Sequence, residues 1–223
     1  MFVPGSNPRL PAQRIACINN LKQIGTAYQL WANDHKGHFP ASESVANGGW
    51  REFLNSADQG FLSWTNYAIM ANYGLGNDGK ILVCPADNRK PADTFSKLVS
   101  NINLSYFVGV SANPDQPQWF LAGDRNLSGG TNSGEDYGFS PESGQGNDVA
   151  IQTNSKAGPV CWSLKIHSGG NLAGVGNILL ADGSVQQSTS GWVRANCQPN
   201  GGLTTNWPAG HIPSSPSFRV LFP

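Results

Sequence analysis

The chain has 223 residues with 14 basic and 14 acidic side chains, so its formal net charge is zero. No stretch carries the run of Lys and Arg that a nucleic-acid-binding surface needs, which argues against that class of function. A chain of this length can bury a hydrophobic core in one domain, which can also carry a large insertion. The abundance of Asn, Gly, Ser and Pro predicts long loops and is more typical of secreted than of cytosolic proteins.

The first ten residues match neither a signal peptide nor a membrane span. Met1–Leu10 contains two prolines and one glycine and lacks an apolar run of the needed length. We interpret this stretch as a flexible leader or an expression remnant, and we expect a single globular domain over residues 11–223.

The stretch Gln13–Asp34 has the periodicity of one long amphipathic helix. Apolar residues recur at steps of three and four on the side of Cys17, and polar residues cover the opposite side. The apolar stripe comprises Ile18, Leu21, Ile24, Tyr28 and Trp31, and the polar side comprises Asn19, Lys22, Gln23, Thr26, Gln29 and Asn33. Gly25 lies within the stripe, where a missing side chain lets another backbone approach closely. Such a helix needs a covering layer from later in the chain.

Short helical turns and then a series of strands follow this helix. Helical turns are predicted at Trp50–Asn55, Trp64–Tyr73 and Gly191–Cys197. Aromatic and β-branched runs predict strands at Leu104–Val110, Gln118–Ala122, Val160–His167, Asn177–Ala181 and Ser184–Ser188. Asp182-Gly183 is a hairpin signal that suits a type I′ turn, and Phe218–Phe222 is predicted to be an edge strand. Helices first and strands later predict an α+β fold, with the long helix on one face of an antiparallel sheet.

The segment Leu127–Asp148 is nearly devoid of apolar residues and predicts a long surface loop inserted between two strands. Its acidic residues Glu135, Asp136, Glu142 and Asp148 offer the oxygen ligands that calcium takes. Their spacing does not match an EF-hand loop, and acidic residues in a Gly/Ser-rich loop are commonly solvated without any metal. Calcium binding and simple solvation are therefore both open interpretations of this loop.

The four cysteines are Cys17, Cys84, Cys161 and Cys197, and no two of them form a Cys-x-x-Cys pair. This spacing argues against a zinc knuckle or a thioredoxin-like site. An even number in a polar, loop-rich chain favours two disulfides and an oxidising compartment. Four cysteines allow three pairings, which spacing alone does not distinguish. The alternative is four buried free thiols in a cytosolic protein.

Several segments together resemble one protein family, the pseudopilin-like proteins with a prepilin-type processing-associated region, which are abundant in planctomycetes and verrucomicrobia. The main segments are CINNLKQIGTAYQLWANDHKGHFP (Cys17–Pro40), KILVCPADNRKPA (Lys80–Ala92) and GNILLADGSVQQ (Gly176–Gln187). Shorter similar segments are Asn103–Ala112, Leu121–Asn126 and Arg219–Pro223. The resemblance covers most of the chain outside the leader and the acidic loop.

This resemblance implies a type IV pilin-like fold, in which an N-terminal helix lies on an antiparallel sheet. It implies a non-catalytic structural subunit related to the pseudopilins of type II secretion, which assembles with other pilin-like subunits or with secretion-system proteins. The implied location is periplasmic or extracellular, with the full-length form anchored in the inner membrane. The family's apolar N-terminal helix half, with its Glu, is missing before Leu10, so we expect membrane contact only through that missing half. The spacing from His167 to Asp182 is also longer than in the family.

The resemblance also bears on the cysteines and on calcium. Cys17 and Cys84 both lie in matching segments, which favours a Cys17–Cys84 disulfide that tethers the helix to the segment crossing it, with Cys161–Cys197 as the second bond. Closing a loop of this length stabilises a fold by about 4 kcal/mol on the chain-entropy account. The major pseudopilins, which this chain resembles in fold, hold calcium in a loop of their sheet domain. Calcium is therefore the only cofactor that we carry forward as a candidate.

Two other functions compete with a structural subunit. His167 and Asp182 can be read as a base and its orienting carboxylate, with Ser163, Ser168 or Ser184 as the nucleophile. No Gly-x-Ser-x-Gly elbow is present, and a strand end and a hairpin turn explain both residues, so we expect no enzymatic activity.

Exposed tryptophans on a secreted domain would instead suit a ligand- or carbohydrate-binding module. We favour core packing over that platform for Trp64, Trp119, Trp162, Trp192 and Trp207.

Overall fold

The computed structural model describes residues 9–55, 62–129, 134, 136–151, 160–168, 174–196 and 218–223. Within these ranges the chain forms three α-helices, several short 3-10 turns and eight β-strands. The helices are α1 (Arg9–Asp34), α2 (Ser63–Ala68) and α3 (Ser190–Asn196). The strands are β1 (Tyr106–Gly109), β2 (Phe120–Asp124), β3 (Leu127–Gly129), β4 (Asn147–Ile151), β5 (Val160–Trp162), β6 (Val175–Leu180), β7 (Val185–Thr189) and β8 (Phe218–Phe222).

Helix α1 starts at Arg9, four residues earlier than the periodicity predicts, and includes two residues that we assigned to the leader. Pro11 is compatible with this start because it lies in the first turn, where its missing N–H has no helical acceptor to lose. The rest of the leader lies outside the described residues. The predicted apolar stripe is confirmed at Leu21, Ile24, Tyr28 and Trp31, which are buried with Cys17. Ile18, the first residue of the predicted stripe, is only half-buried.

The strands form a six-stranded antiparallel sheet in the order β4-β8-β1-β2-β6-β7 and a separate two-stranded sheet of β3 and β5. Helix α1 packs on one face of the large sheet, and the small sheet with α3 packs on the other. Tyr106 and Val108 of β1 belong to the core under α1, whereas Phe107 belongs to the opposite core. Both faces are covered, which explains why the inner strands β1, β2 and β6 are buried along almost their whole length. The predicted α+β class, with an N-terminal helix on an antiparallel sheet, is confirmed.

The contact between α1 and the sheet is closest at Gly25. A Cβ atom at this position would lie 2.8 Å from Leu179 Cδ1 and 3.5 Å from the Gly183 Cα atom, so the predicted close backbone approach is confirmed. The approaching backbone is the tip of the predicted β6–β7 hairpin. Only Gly183 in this turn has a positive φ, at +85°, and its N–H donates to Leu180 O. The turn is therefore a three-residue loop with glycine in the left-handed position, and the type I′ prediction is wrong.

Three sequence predictions about the strands need correction. Phe218–Phe222 is not an edge strand, because β8 pairs with both β1 and β4. The predicted loop Leu127–Asp148 has strand at both ends, where β3 pairs with β5 and β4 pairs with β8. The predicted strand from Val160 ends at Trp162 rather than at His167. These pairings join segments far apart in the sequence, which local periodicity does not reveal.

No helix in the described parts of the chain combines the length and the apolar content that crossing a bilayer requires.

Candidate functional site

Four reactive side chains from four distant parts of the chain meet between α1 and the sheet. Cys17 lies on α1, Cys84 follows a 3-10 turn, Asp124 ends β2, and His167 lies between β5 and β6. Their sulfur, oxygen and nitrogen ligand atoms all lie within 4.8 Å of one another. All four residues are buried, and the most exposed, His167, is only 4% accessible. We call this group the Cys/Asp/His cluster.

Local structure aims each of these side chains at the same point. Cys17 points inward because it belongs to the buried stripe of α1, and Asp124 is fixed opposite Tyr106 in the β1–β2 ladder. His167 follows Ile166, which has a φ of +64°. This left-handed conformation is unfavourable for a β-branched residue, and such strain is typical of sites held by their surroundings.

The segment that carries His167 is also held by its neighbours. The Asn126 side chain donates to the main-chain oxygens of Ser163, Lys165 and Val175, at 3.1, 2.7 and 3.2 Å. Arg14 of α1 donates to the Ser168 main-chain oxygen at 3.2 Å. These bonds explain how a stretch without regular secondary structure places an imidazole accurately.

The contacts within the cluster are short. Cys17 Sγ lies 3.0 Å from Asp124 Oδ1, and Cys84 Sγ lies 3.4 Å from His167 Nε2. The same Nε2 atom lies 3.5 Å from Asp124 Oδ2. The two thiols, the carboxylate and one imidazole nitrogen therefore converge on a common centre.

Asn177 and Tyr106 surround the cluster with hydrogen-bond donors. The main-chain N–H and the side-chain amide of Asn177 both donate to Asp124 Oδ2, at 2.7 and 2.9 Å. The same amide and the Tyr106 hydroxyl donate to Cys17 Sγ, each at 3.5 Å. These donors fix the carboxylate and favour negative charge on the sulfur and on the oxygen.

Burial and close contact change the protonation of the cluster. Burial raises the pKa of the Cys17 thiol well above its ordinary value, and its hydrogen bond with Cys84 and the nearby charge of Asp124 add to this. Burial also raises the pKa of Asp124, against the opposing effect of His167. Burial by itself lowers the pKa of His167, but the contacts with Cys84 and Asp124 outweigh it and raise this pKa. The contacts of Cys84 with Cys17 and His167 outweigh burial and lower the pKa of the Cys84 thiol. Apart from any bound ion, Cys17, Asp124 and His167 therefore hold their protons more tightly than the same groups in water, and Cys84 holds its proton less tightly.

The cluster does not have the arrangement of a hydrolytic relay. In a nucleophile–histidine–carboxylate triad, the nucleophile and the carboxylate contact opposite nitrogens of the imidazole. Here Cys84 and Asp124 both lie near Nε2 of His167. Asp182, the carboxylate considered from the sequence, is exposed in the hairpin turn, where its Oδ1 accepts from the Ser184 N–H.

The predicted Cys17–Cys84 disulfide is absent, although the predicted proximity is present. Both residues are free thiols, and their sulfur atoms belong to the same cluster. Cys161 is buried in β5, and its predicted partner Cys197 lies outside the described residues, so that pairing stays a prediction.

Among the described side chains, neither Asp136 nor Glu142 belongs to a group of potential metal ligands. Asp136 Oδ1 accepts from the Gly138 N–H at 3.0 Å, and Glu142 is exposed. Asp148 lies in β4, opposite Leu221 of β8, rather than in a loop. Glu135 lies outside the described residues, so the calcium site as a whole stays a prediction.

Of the tryptophans considered for a binding platform, Trp162 is buried, Trp64, Trp119 and Trp192 are half-buried, and none of these four is largely exposed. Trp162 is fully buried and donates to Ser188 Oγ, and Trp192 stacks on Phe120. Trp64 is half-buried against the core under α1, and Trp119 is also half-buried. Trp207 lies outside the described residues.

A second buried polar group lies beside the cluster. Arg125, the residue after Asp124, donates to both carboxylate oxygens of Asp87, at 2.7 and 2.9 Å. Ser105 also donates to this carboxylate, and the Arg125 guanidinium lies 3.4 Å from the centre of the Tyr137 ring. Burial opposes ionisation of Asp87, but its bonds with Arg125 outweigh burial and lower its pKa. This pair is compensated in charge by its own members.

Sequence reasoning identified three residues of the cluster and missed Asp124. Cys17 and Cys84 were chosen as a pair, and His167 was matched with the wrong carboxylate. The missed signal is the run Asp124-Arg125-Asn126, three polar residues directly after the apolar strand FLAG. All three are fully buried, which polar residues rarely are without specific partners.

Comparisons with protein-family models, with curated proteins and with solved structures found no match. A function for this chain is therefore inferred from its own residues and geometry.

Proposed function

We propose that this chain is a non-catalytic, pilin-like structural subunit that acts by protein–protein assembly in a secretion or pilus-like system. The observation that carries the proposal is the arrangement of α1. Its inner stripe is buried against the sheet, and its outer face, which includes Lys22 and Thr26, is exposed along the helix. A helix presented in this way offers one side to its own sheet and the other to a neighbouring molecule.

The outer face of α1 also has apolar side chains that its own fold does not use. Ile15 and Leu30 are 59% and 43% exposed. Apolar residues at the centre of a contact supply most of its binding energy, while polar residues around them contribute less. We assign this face as the surface through which subunits contact one another.

The burial of the reactive groups supports a structural rather than a catalytic function. The Cys/Asp/His cluster contains the thiols and the imidazole with the strongest mutual contacts, yet its members are at most 4% exposed. A substrate would reach them only if α1 moved away from the sheet. An enzyme that turns over substrate needs an accessible site on its folded surface.

The test is self-association of the chain measured by sedimentation at concentrations up to about 1 mM, where interactions of about 4 kcal/mol become visible. We expect concentration-dependent assembly that weakens at least tenfold in the double variant Ile15→Asp/Leu30→Asp. Val99→Asp/Ile102→Asp makes the same two changes at apolar side chains that are exposed away from α1 and is the matched control. A chain that stays monomeric throughout, or a double variant that assembles like the control, contradicts the proposal.

The alternative is a secreted module that binds a carbohydrate or another ligand on the same scaffold. Its expected aromatic platform lacks support among the described tryptophans, none of which is largely exposed. Titration of soluble glycans into the chain, followed by tryptophan fluorescence, distinguishes the two functions, because only the alternative predicts a saturable change.

A further inference from the structure

We propose that Cys17, Cys84, Asp124 and His167 form a structural zinc site that fastens α1 to the sheet. The first argument is distance. Zinc bonds of about 2.0–2.3 Å place the donors of a tetrahedral site about 3.3–3.8 Å apart. The separation of 3.4 Å between Cys84 Sγ and His167 Nε2 falls in this range, and one ligand atom from each of the four residues lies within 4.8 Å of the others. The closer approach of Cys17 Sγ to Asp124 Oδ1, at 3.0 Å, widens by a few tenths of an ångström when the cation enters.

The donor types select zinc among the common metals. Calcium and magnesium take oxygen ligands almost exclusively, and copper(I) and iron–sulfur clusters take sulfur-rich sets. Two thiolates, one imidazole and one carboxylate are the mixture that tetrahedral zinc accepts. The full complement of four protein ligands and their burial leave no position for a substrate, which is the pattern of a structural rather than a catalytic site.

A zinc ion also explains features that a disulfide between the two cysteines leaves unexplained. A disulfide needs neither a buried carboxylate nor a buried imidazole beside it. Asp124 is completely buried, and its closest partners are a thiol, an amide and an imidazole rather than a Lys or Arg. Burying an ionised carboxylate among neutral partners is unfavourable, and a divalent ion at the centre of the cluster supplies the compensating charge.

The residues around the cluster hold the proposed ligands in place by hydrogen bonds, as neighbouring residues do in known metal sites. Asn177 holds Oδ2 of Asp124 through two hydrogen bonds and directs Oδ1 toward the thiols. Tyr106 and Asn177 both donate to Cys17 Sγ, which stabilises the thiolate that binds the metal. Because Cys17 and Asp124 are 107 residues apart, the ion links the N-terminal helix to a central strand. The site is independent of the proposed assembly surface, which lies on the other side of α1.

The test begins with the zinc content of the full chain purified without added reductant. We expect zinc equimolar with the wild-type chain and with Cys161→Ser, a variant at a buried cysteine outside the cluster. We expect Cys17→Ser and Asp124→Asn to lose at least nine-tenths of the bound zinc. Peptide mapping of the same wild-type sample should find no Cys17–Cys84 disulfide, and finding that bond overturns the proposal.

Cobalt substitution tests the geometry of the site in the wild-type chain. It therefore applies even if the variants do not fold. Reduced, metal-free wild-type chain should bind Co(II) with the visible bands of tetrahedral coordination and a near-ultraviolet sulfur-to-cobalt transition, and excess zinc should remove both. Chelation should also lower the melting temperature, and zinc should restore it. A folded, reduced chain that gives no tetrahedral cobalt spectrum overturns the site, whereas the assembly test on Ile15 and Leu30 is unaffected by either result.

Discussion

Asp124 and Arg125 are neighbours at the end of β2, yet their side chains enter two buried polar groups of different kinds. Arg125 meets Asp87 in a bidentate pair whose two side chains are both fully buried. Asp124 meets two thiols and an imidazole. The first group contains its own opposite charge, whereas the second gathers electron-pair donors around a centre with no Lys or Arg among them.

The two groups contribute to the stability of the fold in different ways. A self-compensated pair fixes the geometry of the chain around it without a cation from outside, because the opposite charges belong to its own two members. The Cys/Asp/His cluster has the same degree of burial but reaches full strength only with a cation from outside. One group is therefore expected to be indifferent to metal and the other to depend on it.

The largest expected effect comes from breaking the self-compensated pair. Arg125→Met leaves the Asp87 carboxylate buried without its partner, which we expect to lower the free energy of unfolding by about 3–5 kcal/mol. Urea unfolding at neutral pH, with and without added zinc, measures this. The loss should be the same in both conditions, because the Arg125 side chain bonds Asp87, Asn88 and Ser140 and none of the four proposed ligands.

The matched control for this variant is Arg51→Met, which removes an exposed ion pair with Glu52. Exposed pairs contribute about 0–1 kcal/mol, so this change should be small. Equal losses in the two variants would show that the Asp87–Arg125 pair carries no special weight, and the contrast between the two buried groups would then have no basis.

The fold was predictable from the sequence where the pattern is local. The stripe of α1 follows from steps of three and four, and the hairpin follows from Asp182-Gly183, because both signals depend on residues a few positions apart. The position of β8 between β1 and β4 was not predictable, since its partners lie more than sixty positions earlier in the chain.

The candidate site was predictable in part for the same reason. The chain has only four cysteines and four histidines, so each is a natural candidate for a site. Which of the 14 acidic residues lies beside them depends on the register of the sheet. Asp124 reaches His167 only because β2 pairs with β6 and because Asn126 holds the segment before β6. The choice of Asp182 followed nearness in sequence to His167, which long-range packing overrides here.

A smaller effect is expected when the support of the metal site is removed but all four ligands are kept. Asn177→Ala takes away the side-chain donor to Asp124 Oδ2 and to Cys17 Sγ. Loss of such outer contacts typically lowers metal affinity 10–100-fold, which corresponds to about 1.4–2.8 kcal/mol. Competition with a chelating dye measures the zinc affinity of the variant.

Gln187 faces Asn177 across the β6–β7 ladder and is exposed, so Gln187→Ala is the matched control in the same hairpin. We expect this control to bind zinc like the wild type. If both variants lose affinity equally, the hairpin as a whole and not the Asn177 amide supports the site.

The smallest expected effect is the pH dependence of the stabilisation that the Asp87–Arg125 pair gives to the fold. The pKa of Asp87 is lowered in the folded chain despite burial, because Arg125 binds the ionised form. A group with a depressed folded pKa stabilises the fold above its unfolded pKa of about 4, and this stabilisation is lost as pH falls through the folded value. The difference in unfolding free energy between wild type and Asp87→Asn should therefore be largest near neutral pH and shrink below about pH 4.

Any metal that the Cys/Asp/His cluster releases in acid lowers the unfolding free energy of both proteins equally, because both keep the cluster. The difference between the two proteins at each pH is therefore free of that effect. Asp93→Asn serves as the exposed control, because Asp93 pairs with Lys97 on the surface and water screens that pair. It should give no measurable pH-dependent difference. A difference for Asp87→Asn that stays constant into acid would mean that Arg125 binds the neutral and ionised carboxyl equally, and β2 would then carry no self-compensated charge beside the metal site.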